Sequence, residues 1–223
     1  MNRPRGIAAV TLTVIAAALL CAGFTAEDRE RPRVANWLCY YDKVFGPEIY
    51  DRFDLVVFDA HSHPPLPEAK LRQDVHGSRP LVLGYVSFGE VEENGPFWPL
   101  AEEKGFLVKE NTFWGSWIVD ITDPEWRKIL LEHAVPHVID QGFDGIFIDT
   151  LDSVVETARE KGGEEPARTT AAVKELIGAV RAKYPRCFIA MNRGLPLLPA
   201  VARDIDFVVA EDLYSRYDDG RGR

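Results

Sequence analysis

Six short apolar runs, each closing on a polar residue and separated from the next by helical or loop sequence, constrain this chain more than any other feature. They are Val34 to Tyr41, Asp54 to Asp59, Pro80 to Glu90, Gly145 to Asp149, Cys187 to Asn192 and Phe207 to Glu211. Near-continuous apolar stretches such as Leu55-Val56-Val57-Phe58 suit strands buried on both faces, the condition of a parallel sheet covered by helices. The segments between them supply those helices. Thr122-Asp123-Pro124-Glu125 is a helix start, in which Asp123 caps free amides and Pro124 occupies the first turn. Ala167 to Tyr184 sets Val173, Leu176, Ile177, Val180 and Tyr184 on one helical face and stops at Pro185. Alternating strands and helices imply a parallel sheet, open or closed into a barrel.

The strand ends are acidic. Asp42, Asp59, Glu90, Asp149 and Glu211 end or follow five of the runs, and Asn192 ends the other. In a barrel these ends meet on one face, where active sites of this architecture lie. A ring of carboxylates repels itself unless a cation binds there or some members keep their protons. Strand ends also meet solvent and are polar for that reason alone, which accounts for some of these acids but not for an unbroken series. With 26 Lys+Arg against 35 Asp+Glu, the net charge is −9 and no basic run offsets it. A chain this acidic is a poor partner for nucleic acid or an anionic membrane surface, and neither is expected beyond an N-terminal anchor. Three Cys are too few for a disulfide scaffold, and Cys39 and Cys187, on the first and fifth strands, are expected to be free thiols.

Arg3 and Arg5 precede an uncharged Ala-, Val-, Ile- and Leu-rich stretch from Gly6 to Phe24, which gives way abruptly to charge at Glu27. Residues 1–26 are expected to be an export signal, making the protein secreted, periplasmic or attached to the cell surface; an uncleaved anchor is the alternative. Residues 27–33 are a charged linker, and 34–223 form the folded domain.

The segment Gly142-Phe143-Asp144-Gly145-Ile146-Phe147-Ile148-Asp149-Thr150-Leu151-Asp152 is the most specific in the chain. Its glycines permit a tight entry turn, its apolar residues form a buried strand, and Asp149 is delivered to the exit. Residues 145, 147 and 149 share one face, so Asp149 should point to the barrel interior at its mouth. Phe207-Val208-Val209-Ala210-Glu211 presents a second acid from the sixth strand. Two carboxyl groups across a cleft are what glycoside hydrolysis requires, one to attack or orient water and one to protonate the leaving oxygen. From these residues alone, a capping Asp149 and a solvated Glu211 fit equally well.

Trp37 through Tyr41, Gly84 through Glu90, Trp117-Ile118-Val119-Asp120-Ile121 with Asp123-Pro124-Glu125-Trp126, and the Gly142-to-Asp152 segment together resemble glycoside hydrolase family 114, the endo-α-1,4-polygalactosaminidases. The resemblance runs from about Asn36 to Tyr214. It implies a (β/α)8 TIM-type barrel that cuts cationic galactosamine-containing polysaccharide with retention, with Asp149 as the nucleophile and Glu211 as the acid/base. It also makes Asp120 and Asp152 candidates for holding substrate hydroxyl or amino groups, with structural capping as their alternative role. Tyr40, Asp59, Glu90 and Asn192 complete the expected substrate-binding set; Asn192 is further a candidate donor to Asp149, and Tyr40, Trp98 and Trp117 are candidates to stack on sugar faces. Glu211, beside Asp212 and other acids, is expected to hold its proton as a general acid must. No cofactor and no metal are expected.

Only six of the eight strands of such a barrel can be found, and the chain is shorter than the roughly 250 residues typical of the architecture. The stretch from Ser215 to Arg223 holds no further apolar run, so the expectation is a barrel truncated after its sixth strand. Two other function classes remain open. A non-catalytic barrel can grip an aminosugar through the same acidic rim. Asp59-Ala60-His61-Ser62-His63 resembles the His-x-His pair of metal-dependent amidohydrolases, although no His follows His137 to complete a site.

Overall fold

The structure is a computed structural model and describes residues 32–41, 52–61 and 80–211. The expected signal and most of the linker, Asp42, His63 with the Pro-rich stretch from Ser62 to Pro67, Asp212 and the segment after it lie outside the described residues.

The described residues form nine strands: β1 (Trp37–Tyr40), β2 (Leu55–Asp59), β3 (Leu81–Ser87), β4 (Glu90–Glu92), β5 (Leu107–Asn111), β6 (Ser116–Val119), β7 (Gly145–Asp149), β8 (Phe188–Asn192) and β9 (Phe207–Val209). The α-helices among the described residues are α1 (Trp98–Lys104), α2 (Pro124–Ile129), α3 (Val135–Ile139), α4 (Leu151–Lys161), α5 (Glu165–Lys183) and α6 (Leu198–Val201). Six strands form one parallel sheet in the order β1-β2-β3-β7-β8-β9. These are the six strands the apolar runs predict. Together with their helices they make a curled half-barrel, the arrangement of six strands of a (β/α)8 barrel.

Period-two alternation splits the sheet residues between two cores. Val56, Phe58, Val82, Val86, Ile146, Ile148, Ile189 and Met191 face outward into the helices. Leu55, Val57, Leu81, Leu83, Phe147 and Ala190 face inward, with Cys39, Tyr85, Phe207 and Val209 packed against them. At Gly145, on the inner face, a Cβ would run into the backbone of Phe188. The entry turn needs only Gly142, at φ 91°; Gly145 serves the close approach of β7 and β8 instead.

The third run departs from expectation. β3 ends at Ser87, and Glu90 opens β4, which belongs to a separate antiparallel sheet ordered β4-β6-β5. The Gly89 region turns the chain out of the barrel and ends the apolar run without ending the strand-forming sequence. Helix α2 starts as predicted, with Asp123 accepting from Glu125 N at 2.8 Å and Pro124 in its first turn. A π-helical turn, Leu130–Ala134, joins α2 to α3 and accommodates Pro136, which has no N–H to donate to the preceding turn. α5 buries Val173, Leu176, Ile177 and Val180 of the predicted stripe; Tyr184, its fifth member, is the half-buried residue just past the helix end. Cys39 and Cys187 are free thiols. Among the described residues, no helix is long and apolar enough to cross a membrane.

Candidate active site

Strand register sets the depth of each side chain at the barrel mouth. Asp149 at the end of β7 lies level with Ser87 on β3, and Asn192 at the end of β8 lies level with Val209 on β9. The inner-face alternation that buries Phe147 therefore delivers Asp149 into the mouth, as its spacing predicts. Asn192, 4% exposed, donates from Nδ2 to Asp149 Oδ1 at 2.9 Å. The Tyr85 hydroxyl is also hydrogen-bonded to Asp149. Two neutral donors, an amide and a phenol, thus hold this one carboxylate. Burial first, then the charge of Asp149 and its hydrogen bond, push the Tyr85 phenol well above its ordinary value, so it stays a neutral donor.

Glu211 is exposed, two residues past Val209. Its place relative to Asp149 is reported by Cys39, on the inner face of β1. Burial pushes that thiol up to about 11; its hydrogen bond with Tyr41 opposes the rise, and the charges of Glu211 and then Asp149 add to it. On a flat sheet, β1 and β9 would lie about 24 Å apart across five strand spacings, more than two screening lengths in salt. One thiol senses both carboxylates because the sheet curls, bringing its two edges toward a shared mouth.

The residues after the two central strand ends hold an unusual conformation. Thr150 and Arg193 have φ of 66° and 53°, the left-handed region that a β-branched residue rarely adopts. Thr150 is held there because its Oγ1 accepts from Gly89 N at 2.8 Å, bonds Ser87 Oγ at 2.8 Å and reaches the Asp149 carbonyl at 2.6 Å. Arg193 is tied to Asp152 by an ion pair of 3.1 Å. Burial pushes the Asp152 carboxyl up, Arg193 draws it back down and Asp149 adds to the rise. Asp152, in the first turn of α4, therefore stands within electrostatic reach of the nucleophile candidate.

Other expected site residues fall elsewhere. Tyr40 faces outward, edge-on to Phe58 with ring centroids 6.4 Å apart, and packs in the helix-side core. Strand alternation decides this: Cys39 points in, so Tyr40 points out. The rim aromatic is Tyr41, 48% exposed and edge-on to Tyr85 at 5.3 Å. Glu90 is 6% exposed, and its carboxylate accepts from Asn111 Nδ2 at 3.1 Å and from Ser116 Oγ, so it clamps the second sheet and leaves no open face for substrate. Asp120 accepts from Thr122 N at 2.9 Å and Thr122 Oγ1 at 2.6 Å in the turn before α2, the capping alternative. Trp98 and Trp117 pack on each other at 6.2 Å beside the main core. Asp59 is on the inner face, level with Tyr85 and so deeper than Asp149, and accepts from His61 N at 2.9 Å. The His61 ring lies flat on His137 of α3, centroids 4.5 Å apart, on the helix side of the sheet. Among the described residues, no three His, Cys, Asp or Glu are grouped to hold a metal. Tyr41 and Tyr85 lie within the motif segments Trp37–Tyr41 and Gly84–Glu90 without being singled out there; their period-two relation to Cys39 and Leu83 marks them as inward.

A family model described as glycoside-hydrolase family GH114 matches residues 22–219. The chain is 29% identical over 170 residues, 73% of its length, to an uncharacterized protein of Deinococcus radiodurans, and spans about half (54%) of that relative. The glycoside hydrolase domain of PelA from Pseudomonas aeruginosa superposes with a TM-score of 0.69 at 23% identity, covering 86% of this chain and 72% of that one. Ega3 of Aspergillus fumigatus, solved in complex with galactosamine, superposes with a TM-score of 0.65 at 19% identity, covering 82% and 70%. Both likenesses bear out the barrel fold.

Proposed function

The chain belongs to glycoside-hydrolase family GH114, and from that premise we propose that it is a retaining glycosidase that cleaves within α-1,4-linked, galactosamine-containing polysaccharide. The observation that carries the reading is the shared mouth: Asp149 held by Asn192 and Tyr85, with the charges of Glu211 and Asp149 both acting on the Cys39 thiol at the opposite edge. Asp149 attacks the anomeric carbon from one face while Glu211 protonates the departing oxygen; a water deprotonated by Glu211 then releases the sugar. Asn192 and Tyr85 keep Asp149 aimed, and both are neutral, so neither cancels its charge. Ser87 and Thr150 hold the strand end in the left-handed turn that fixes the carboxylate's direction. Asp152 and Asp59 add negative charge around a sugar whose free amine is cationic. Ega3's complex with galactosamine supports that substrate class. Export through residues 1–26 belongs to the same proposal, since a polysaccharide of this kind is met outside the cytoplasm.

The deciding experiment incubates the protein with α-1,4-galactosamine oligomers and follows the first product by NMR. A first product with the substrate's own α-anomeric form is expected. Inversion would remove Asp149 from the nucleophile's role, and binding without shorter products would make the barrel a non-catalytic aminosugar receptor.

A further inference from the structure

We propose that the aromatic pair Phe113 and Trp114, at the tip of the β5–β6 hairpin, is a second carbohydrate-binding site that holds a remote stretch of the cationic polysaccharide whose cleavage point lies at Asp149. The proposal rests on the substrate reading above. Phe113 is 50% exposed and Trp114 75% exposed, and their rings meet edge to face with centroids 4.9 Å apart. A Trp normally buries much of its large apolar area, and Trp114 joins neither core cluster of the described residues.

The tip is held firmly. Trp114 N and Gly115 N both donate to the Asn111 carbonyl, at 3.2 and 2.9 Å, and Gly115 takes a left-handed φ of 67°. Just below the turn, the buried Glu90 carboxylate bonds Asn111 and Ser116, one residue from each strand of the hairpin. Lys109 on β5 is tied to Glu160 of α4 at 2.7 Å. Rings presented on so fixed a turn lose little freedom when a ligand docks.

The hairpin is rooted at the active site. Val119 N donates to Gly89 O at 2.9 Å, and Gly89 N donates to Thr150 Oγ1 at 2.8 Å, beside Asp149. From Val119 to Ser116 is about 10 Å of strand, with the turn beyond it. The rings therefore stand too far out to touch the sugar being cleaved and suit units farther along the same chain. Glu92, Glu93 and Glu110, all exposed, flank the tip. Their charge repels an anionic membrane and attracts amines. The axial 4-hydroxyl of galactosamine leaves C–H groups exposed on the opposite ring face, which stacks on an indole, while the ammonium is drawn to the acids or to a ring face.

The test compares the wild-type chain with Trp114→Ala, Phe113→Ser and Trp114→Tyr. Dissociation constants are measured for a long, de-N-acetylated α-1,4-galactosaminan and for a short oligomer that fills only the cleft. Trp114→Ala is expected to weaken polymer binding about tenfold, leave oligomer binding unchanged and melt with the wild type; Trp114→Tyr should bind polymer like wild type. Equal polymer binding by wild type and Trp114→Ala overturns the proposal. So does a loss in Trp114→Ala of anionic-vesicle binding or of self-association, which would assign the tip to a membrane or to a second copy. Trp114-dependent polymer binding by a wild type that cleaves nothing would uphold this site while the hydrolase reading fell.

Discussion

The two ends of the parallel sheet use the same side chain in opposite ways. At the start of the strands, Asp54, Asp144 and Asp206 each sit immediately before their own strand and reach toward a neighbouring one. Asp54 Oδ2 accepts from Ala35 N and Asn36 N at 2.6 and 3.1 Å, ahead of β1. Asp144 Oδ2 accepts from Val82 N on β3 at 2.9 Å, and Asp206 Oδ2 from Ile189 N on β8 at 2.8 Å. Asp206 is also paired with Arg181 of α5 at 2.8 Å, both side chains nearly buried. At the other end, Asp149 is held by an amide and a phenol, and the next residue stays in a left-handed turn. A carboxylate committed to backbone amides joins strands. One held from the side by neutral groups keeps its charge available for chemistry.

The largest effects should come from the open end. Asp149→Asn preserves shape and the Tyr85 contact but removes the attacking oxygen, so kcat is expected to fall on the order of 10⁴-fold with thermal unfolding little changed. Full activity in that variant would make the contrast between the two ends false. Glu211→Gln should lower kcat by about 10²–10⁴-fold. A substrate whose leaving group needs no protonation should recover part of the loss, and equal loss on both substrates would deny Glu211 the acid's role.

The closed end should respond in stability instead. Asp206→Ala leaves Arg181 buried without its carboxylate, although that guanidinium still donates to the Asp204 carbonyl at 3.0 Å and to the Cys187 carbonyl at 2.6 Å. A loss of about 3–5 kcal/mol in denaturant unfolding is expected, with kcat per folded molecule unchanged. Asp144→Ala removes the acceptor of the Val82 amide, with no buried charge left behind on that amide, and should cost less, about 1–3 kcal/mol. A change in kcat without a change in stability for either variant would break the division.

What the sequence disclosed follows from period and punctuation. Leu55-Val56-Val57-Phe58 and Gly145 to Asp149 announce parallel strands, and position 149 falls on the inner face by counting in twos from 145. The same count assigns Tyr40 outward and Tyr41 inward, yet a motif-centred reading stops at the strand's last aromatic. Glu90 was obscured by a different physical cause. Nothing in Ser87-Phe88-Gly89-Glu90 marks where a parallel strand ends and an antiparallel one begins, because both want the same residue types. The partners that bury its carboxylate, Asn111 and Ser116, come from a hairpin beyond α1. Likewise, that Asp144 meets a backbone amide while Asp149 meets an amide side chain and a phenol depends on which neighbour each faces across the sheet, and local sequence does not encode that.

His61 sharpens the comparison from a third position, since it follows the mouth end of β2 yet turns to the helix side. Its ring stacks on His137, meets Phe97 edge-on at 6.1 Å, and follows Asp59, whose Oδ1 accepts from the His61 amide. Burial first, then His137, lower its proton affinity, and Asp59 only partly opposes them. The unfolded chain therefore takes up a proton at a pH where the folded protein still refuses it. The stack's contribution is complete above the ordinary imidazole value of 6.5 and is lost as pH falls through the lower folded value. Melting temperature should accordingly drop on acidification below that point, and His61→Phe, which keeps a flat ring against His137 without a titrating nitrogen, should flatten the drop. The effect is small beside the others, and it should move stability and leave kcat per folded molecule alone. An unchanged melting profile in His61→Phe would assign the acid sensitivity to other groups, and a shifted pH optimum for cleavage would place His61 with Asp149 at the mouth and not with the helices.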